Sequence, residues 1–374
     1  MGGASTFGPF FAAGHVAAMV SGSRRDGFSR PYQCAAVAGS LFYGLVGLAL
    51  LGLFLRRWFE RWVVGATLLA LTFGTNLFHY LTFDAVYSHA FSFAAIAFVL
   101  WSSVRLVERP SWVQALLLGL GIGLVAASRP PNLVVVLFPL LIGVRAWADV
   151  RARAKALLTH PALLAAAVVG CLVFVLPQLL YWHNLTGPFG VNAYGSSPRL
   201  VLTHPHLVAV AFSVRKGLFF WTPLVARGIV GLRFLRGRAR TLLLAAALAL
   251  VVNFWVVASW SQWWYGGSFG ARAIVECLAR VAIGVASATR PGGVIDKLGK
   301  GLALTGQSVP SFWLALLLVL VLAVQLEWLP PFGQGGWKHL LLAAIRSGAF
   351  SLTPSTRLPR SAFCRVCPCD HPSF

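Results

Sequence analysis

The stretch CAAVAGSLFYGLVGLALLGLFL, residues 34–55, contains 22 consecutive residues without a charged side chain. An α-helix rises about 1.5 Å per residue, so about 20 apolar residues span the hydrocarbon core of a bilayer. Comparable apolar runs recur along the chain at 62–82, 85–107, 112–128, 132–148, 161–183, 217–232, 241–259, 273–289 and 309–330. The pattern predicts an all-α, polytopic integral membrane protein with about 8–10 transmembrane helices and short loops.

The composition supports the same class of protein. Hydrophobic residues make up 58% of the 374-residue chain and charged residues only 11%, whereas soluble domains carry about 25% charged residues. The formal net charge is +22, and the basic residues lie mostly in short segments between apolar runs. In such segments they set topology and contact anionic lipid headgroups. We therefore expect a multi-pass protein of the bacterial inner (cell) membrane that contacts membrane lipids and does not bind nucleic acid.

The distribution of Lys and Arg predicts which face of the membrane is cytoplasmic. Thirteen basic residues lie between spans on one side: Arg56, Arg57, Arg61, Arg105, Arg109, Arg145, Arg151, Arg153, Lys155, Arg233, Arg236, Arg238 and Arg240. The opposite loops hold five: Arg129, Arg199, Arg215, Lys216 and Arg272. Because cytoplasmic loops carry the excess of basic residues, the thirteen are predicted to face the cytoplasm and the five to face outward.

The predicted outer loops have a composition suited to a water-facing binding site. They include HYLTFDAVYSHAFS (79–92), SRPPN (128–132) and SWSQWWYGGSFGAR (259–272), which combine aromatic residues, His, Gly and Pro with single arginines. An isolated Arg can grip a phosphate with its planar donors, and an aromatic ring offers a stacking face. The alternative interpretation is an aromatic belt at the bilayer surface.

Five segments of the first part of the chain carry a resemblance to a known enzyme superfamily. They are FGPFFAAGHVAA (7–18), YLTFDAVYSHAFSFAAIA (80–97), GLGIGLVAASRPPNLVVVLFPLL (119–141), GLFFWTPLV (217–225) and WWYGGSFGAR (263–272). In their order, residues 5–275 resemble the C-type membrane glycosyltransferases related to protein mannosyltransferases. The resemblance implies transfer of a sugar from a polyprenyl-phosphate donor on the outer face.

The same resemblance implies a set of binding residues. Arg129 and Arg272 would hold the carrier phosphate, and the sugar would contact aromatic and imidazole rings. Those rings belong to His89, Trp263, Trp264 and Tyr265.

The catalytic acid of that superfamily lies in a first outer loop whose counterpart is not found before Phe7, so region 1–275 is interpreted as N-terminally truncated. Asp84, between His79 and His89, is the best local candidate for acid–base or metal-assisted catalysis, with a divalent metal as the conceivable cofactor. A structural role as a helix cap is the alternative. The sequence leaves open whether the chain is an enzyme.

A second resemblance begins after Cys277. The pieces GQSVPSFWLALLLVLVLA (306–323) and WLPPFG (328–333) look like the permease subunit of dipeptide- and oligopeptide-type ABC transporters. We therefore predict a permease-like transmembrane fragment at 279–350 and a polar, disordered tail at 351–374. This resemblance implies transmembrane transport and an ABC ATPase as partner.

The change of character near 276–282 leaves three accounts of the whole chain open. One is a truncated glycosyltransferase core fused to a permease fragment, and another is a peptide permease component. The third is a non-functional gene fusion or assembly chimera. In the tail, Cys364, Cys367 and Cys369 resemble a metal cluster, but their spacing fits no standard zinc pattern, and an unstructured tail is the alternative.

Overall fold

The computed structural model describes residues 2–85, 87–189 and 200–288, which fold almost entirely into helices. The α-helices are α1 (Gly2–Val20), α2 (Arg30–Leu55), α3 (Arg61–Phe73), α4 (Leu77–Thr82), α5 (His89–Glu108), α6 (Trp112–Ser128), α7 (Leu137–Leu141), α8 (Trp147–Thr159), α9 (Pro161–Thr186), α10 (Leu207–Phe212), α11 (Leu218–Trp221), α12 (Pro223–Gly231), α13 (Leu243–Ala258) and α14 (Leu278–Ala288). Turns of 3₁₀ helix cover Pro130–Val136, Leu232–Phe234, Gly237–Leu242 and Arg272–Cys277. Within the described ranges the only β pairing is an isolated antiparallel bridge between Leu200 and Trp260.

Four helical segments are long and apolar enough to cross a membrane. They are Arg30–Leu55, His89–Glu108, Pro161–Leu185 and Gly237–Ala258. Shorter apolar helices at Thr6–Val20, Arg61–Phe73, Trp112–Ser128 and Pro130–Leu141 accompany them. The predicted fold class, an all-α polytopic membrane protein, is confirmed.

Several predicted spans are interrupted where the sequence carries a local signal against continuous helix. The run 62–82 divides into α3 and α4, because Gly74 ends the first helix and the Thr75 hydroxyl accepts the amide N–H of Leu77 at 3.1 Å. The run 132–148 becomes a 3₁₀ turn followed by α7, which ends before Gly143 at φ +84°.

A proline interrupts another predicted span, 217–232. Pro223 begins α12, and Thr222 before it adopts a non-helical conformation, as the residue before a proline commonly does. The predicted span 309–330, the tail at 351–374 and its three cysteines lie outside the described residues.

Small residues allow α6 and α9 to pack at very short range. The α6 glycines Gly119 and Gly123 face the α9 backbone at Ala167 and Cys171, and a Cβ at either glycine would collide with a backbone carbonyl. Close backbone approach at small residues is the usual way in which membrane helices associate, since lipid provides no hydrophobic drive between them. Arg129 directly follows the last residue of α6, so this packing determines where its side chain lies.

Helices α14 and α12 also pack closely through glycines. Gly284 of α14 lies against the backbone of Gly228, and Gly231 lies against the carbonyl of Gly284. Every residue from Leu278 to Ser287 is buried. The chain therefore folds continuously through the 276–282 region at which the sequence changes character.

Candidate functional site

Three polar side chains from distant parts of the chain meet at the predicted outer end of the helices. His89 is the first residue of α5, Arg129 follows the last turn of α6, and Glu276 lies in the 3₁₀ turn before α14. Glu276 Oε1 is 2.9 Å from His89 Nδ1 and 3.0 Å from Arg129 Nη1. Arg129 Nη1 is also 2.9 Å from His89 Nδ1. One carboxylate oxygen thus serves as the common acceptor of the cluster.

Burial makes this cluster energetically important. The Glu276 side chain has no exposed surface, whereas 23% of the Arg129 side chain is exposed. An unpaired carboxylate at such a depth would cost several kcal/mol, so the guanidinium is needed as a counter-charge. Glu276 Oε2 has no hydrogen-bond partner among the described residues, which leaves one oxygen unsatisfied. Arg129 and Glu276 are therefore interdependent.

Aromatic rings cover the imidazole of the cluster. The Tyr80 ring lies 4.7 Å from the His89 ring, and the Tyr87 ring lies 6.0 Å from it. His89 retains 1% of its surface. The sequence predicts that His89 binds a sugar or a lipid phosphate; the structure places its ring inside the protein, with Nδ1 2.9 Å from both Glu276 Oε1 and Arg129 Nη1.

A second cluster of cations surrounds the aromatic, glycine-rich loop at 259–272. The Arg272 guanidinium lies 5.3 Å from the centre of the Tyr87 ring and 5.9 Å from that of Tyr265. The Arg215 guanidinium lies 4.8 Å from the Trp264 ring. Cation–π contacts of this kind hold the side chains in place and leave the hydrogen-bond donors of the guanidinium available.

Lys216 joins this second cluster and fastens the loop. Its Nζ donates to the carbonyl oxygen of Ser268 and lies 3.0 Å from the Ser268 hydroxyl. Burial, and then repulsion from Arg272 and Arg215, hold the pKa of Lys216 below its ordinary value. None of the ion pairs among the described residues involves these three cations. In the part of the chain that the structure describes, the cluster is thus a concentration of positive charge without a paired carboxylate.

The backbone of the loop is shaped by residues with positive φ. Tyr265 has φ +53°, an uncommon conformation for a residue with a side chain, and Gly266 follows with φ +69°. The Tyr265 hydroxyl donates to the carbonyl of Val257 at 3.0 Å, which helps to hold this turn. A second anchor comes from Tyr80, whose hydroxyl donates to the carbonyl of Phe269 at 2.8 Å.

The space beneath the loop is small. A cavity of about 10 Å³ is lined by Val210, Lys216, Val257, Trp263, Trp264, Tyr265, Ala271, Ala273 and Ile274. That volume is room for about one water molecule. A sugar ring would have to bind above the loop, or the loop would have to move.

Asp84 makes no direct contact with the cations of the second cluster, and its partner His79 links it to the 259–272 loop. Its Oδ2 is 3.0 Å from His79 Nε2, and about a third of each side chain is exposed. The His79 ring stacks on Phe269, with 4.5 Å between ring centres. Ser88, not Asp84, occupies the N-cap position of α5, so the alternative role of Asp84 as that cap is wrong.

The structure thus divides the predicted site residues. Trp263, Trp264, Tyr265 and Arg272 share one loop, whereas Arg129 is paired in the buried cluster. No group of three or more His, Cys, Asp or Glu side chains suited to a metal ion occurs in the described part of the chain. Sequence reasoning does not predict the roles of Glu276 and Lys216. The signal for Glu276 was a lone acid beside an apolar run, since such acids are kept in membranes only when paired.

Comparison with known proteins bears on the end of the chain. Residues 280–371 match the family described as the binding-protein-dependent transport system inner membrane component. Of these, 280–288 belong to α14, and the remainder lies outside the described residues. No solved structure matches.

Curated relatives match about a quarter to a third of the chain. The glutathione transport system permease protein GsiC of Salmonella paratyphi A is 40% identical over 86 residues, which are 23% of this chain and 28% of that protein. GsiC of Pectobacterium atrosepticum is 31% identical over 120 residues, 32% of this chain and 35% of the relative. GsiC of Escherichia coli K12 is 34% identical over 86 residues, again 23% and 28% of the two chains.

The chain therefore spans about a third or less of the length of these relatives. The predicted resemblance to an ABC permease fragment is supported, and so is the location in the inner membrane as a multi-pass protein. The resemblance of residues 5–275 to glycosyltransferases receives no support from these comparisons.

Proposed function

We propose that this chain is a membrane component of a binding-protein-dependent transporter that moves peptides such as glutathione. The observation that carries this proposal is the match of residues 280–371 to the inner membrane component of such systems. The 40% identity to a glutathione permease over 86 residues suggests the class of solute. The apolar helices before residue 280 provide the membrane anchorage that this role requires.

The proposed transporter needs two kinds of partner. A permease holds no ATP-binding motif, so an ABC ATPase must supply the free energy of transport, and a substrate-binding protein must deliver the solute. This chain carries no Walker phosphate-binding sequence of its own. Its transport activity therefore depends on assembly.

Co-purification tests this function. The full chain, affinity-tagged and extracted in a mild detergent, should retain an ABC ATPase, identified by mass spectrometry. An unrelated tagged multi-pass protein from the same cells is the control. In vesicles, the complex should hydrolyse ATP faster when glutathione and the binding protein are both added. Absence of an ATPase from the tagged chain, with normal recovery of the chain itself, contradicts the proposal.

The cation cluster of Arg215, Lys216 and Arg272 favours a second candidate function, glycosyl transfer from a polyprenyl-phosphate sugar. Three cations that form no ion pair within the described residues attract a phosphate, and neighbouring Trp264 and Tyr265 offer ring faces for a sugar. In this function Asp84 would be the acid–base residue. Arg129 would stabilise the site through Glu276 and would not contact the phosphate itself.

A lipid-binding assay distinguishes this second function. Arg272→Ala should weaken binding of a polyprenyl phosphate by about tenfold or more, since a charge-assisted contact contributes roughly 1.5–3 kcal/mol. Arg25→Ala, at an exposed position near the start of the chain, is the matched control. Equal binding by the two variants contradicts a role for Arg272. This assay is independent of the ATPase, so the two candidate functions succeed or fail separately.

A gene fusion remains the third account of the chain. Long-read sequencing of the native locus across codons 270–290, with the matching transcript, tests it. The burial of Glu276 and of Gly284 in one core supports a chain that folds across the junction. An interrupted locus would instead support the fusion.

A further inference from the structure

Helix α8 is tied to α7 through Arg153, whose Nη1 donates to the carbonyl of Pro139 at 2.7 Å. None of its residues whose side chains the structure describes is buried, and Trp147 at its start exposes 68% of its surface. Tryptophan is enriched at membrane–water interfaces, where its ring lies at the level of the headgroups. The position of α8 in the chain and its charges indicate which surface covers it.

The position of α8 in the chain places it at the membrane surface. Only His160 separates it from α9, whose segment Pro161–Leu185 is a candidate membrane span. α8 thus lies at the end of that span, on the side predicted to be cytoplasmic. A helix in this position, with its Trp147, Arg151 and Lys155 side exposed, runs along the headgroup region.

The charges of α8 are available to an external partner. Arg151 and Lys155 are exposed, lie four residues apart on one side of the helix, and belong to none of the ion pairs of the described residues. The acid of the helix, Asp149, is engaged elsewhere, because its Oδ2 accepts the backbone N–H groups of Arg145 at 2.7 Å and Ala146 at 2.9 Å. It therefore caps the helix and does not neutralise the two cations.

The apolar and basic side chains of α8 lie close enough together to contact the same membrane surface. Trp147, Val150 and Arg151 follow one another at spacings of three and four residues, which places them on adjoining parts of the helix. Long basic side chains can lay their stems on an apolar layer while the charge reaches the phosphates. We propose that α8 binds the anionic headgroups of the adjacent lipid leaflet, with Trp147 in the interface and Arg151 and Lys155 on lipid phosphates.

Hydrogen exchange in nanodiscs tests this surface on the full chain. The amides of 147–159 should exchange more slowly in discs that contain phosphatidylglycerol than in discs of phosphatidylcholine alone. High salt should reduce the difference, because screening shortens the range of headgroup attraction. Identical exchange in the two kinds of disc overturns the proposal, whether water or another protein covers α8.

A charge-removing double variant makes the test specific. A basic residue near the surface contributes about a factor of five in affinity, so Arg151→Gln with Lys155→Gln should weaken the apparent affinity for phosphatidylglycerol roughly 25-fold. The matched control is Arg24→Gln with Arg25→Gln, which removes the same charge at exposed positions elsewhere. An equal loss in both double variants would reflect total charge and would also overturn the proposal. The wild-type comparison needs no variant, so misfolding of a variant leaves the test intact.

Discussion

Arg129 and Glu276 lie 147 residues apart in the sequence, yet Arg129 Nη1 is 3.0 Å from Glu276 Oε1. The pair joins the end of α6 to the turn that precedes α14, and His89 at the start of α5 shares the same carboxylate oxygen. Residues at the ends of α5 and α6 both contact this buried acid, which precedes α14. Glu276 therefore links the predicted outer ends of three helices.

Replacing the buried acid should therefore destabilise the protein strongly. Glu276→Gln leaves Arg129 without its counter-charge, and breaking a buried pair typically costs about 3–5 kcal/mol. The unfolding midpoint in detergent should fall clearly. The matched control is Glu108→Gln, which removes the partner of Arg57 in a partly exposed pair and should cost about 0–1 kcal/mol. If the unfolding midpoints of the two variants fell by similar amounts, Glu276 would not stabilise the helix ends as proposed.

The short-range packing of α6 on α9 makes a second prediction. Gly119→Ala places a Cβ against the Ala167 carbonyl, so the helices must separate, at a cost of about 1–3 kcal/mol. Gly65→Ala in α3 is the control, because a Cβ at Gly65 meets no atom within 4 Å and alanine favours helix. Thermal unfolding of both variants should show a loss for the first and no loss for the second. Equal midpoints would exclude the close approach.

The lowered pKa of Lys216 gives a pH dependence with a defined sign. Between that lowered pKa and the ordinary value of 10.5, the unfolded chain keeps a proton that the folded chain has released. Stability therefore rises with pH through this window, and below it the cost of burying the charged ammonium, together with repulsion from Arg272 and Arg215, acts in full. Relative to Lys216→Met, the wild-type midpoint should increase as the pH approaches 10.5 from below. A difference that stays constant or decreases would contradict this.

A fourth prediction separates chemistry from stability at Asp84. Its pair with His79 is partly exposed, so Asp84→Asn should change the free energy of unfolding by less than about 1 kcal/mol. If Asp84 is the acid–base residue of glycosyl transfer, the rate of transfer of a labelled sugar should nevertheless fall about 10²–10⁴-fold. Asp26→Asn is the control, since Asp26 caps an exposed turn through the amides of Phe28 and Ser29. An unchanged rate would remove the catalytic role.

Much of the fold could be predicted from local sequence patterns. Where the prediction was wrong, the cause is also a local feature of the sequence. The charge-free run 34–55 is one helix because nothing in it interrupts the backbone, and α2 includes all of it. The run 62–82 is equally apolar in parts, but Gly74 and the Thr75 hydroxyl end the helix in its middle. Hydropathy averages over such positions, so it predicts the membrane location of a segment better than its continuity.

The candidate site was harder to predict, because its members are distant in sequence. Trp263, Trp264, Tyr265 and Arg272 could be grouped since one loop carries them all. Lys216 contacts the same loop at Ser268, which lies 52 residues further along the chain. No sequence spacing predicts that contact. Arg129 looked free for a phosphate because Glu276 stands far away in the chain.

The sequence by itself determined the environment of this protein, because long apolar runs and sparse charge are stable only in a bilayer. It also carried the permease-like segment, since that likeness is a property of consecutive residues. Only the tertiary structure decided which charges are satisfied. It pairs Arg129 with the buried Glu276 and leaves Arg272 between two tyrosine rings. The reason is physical: in a low-dielectric interior a charge is tolerated only beside its partner, and helix packing alone determines which partner it meets.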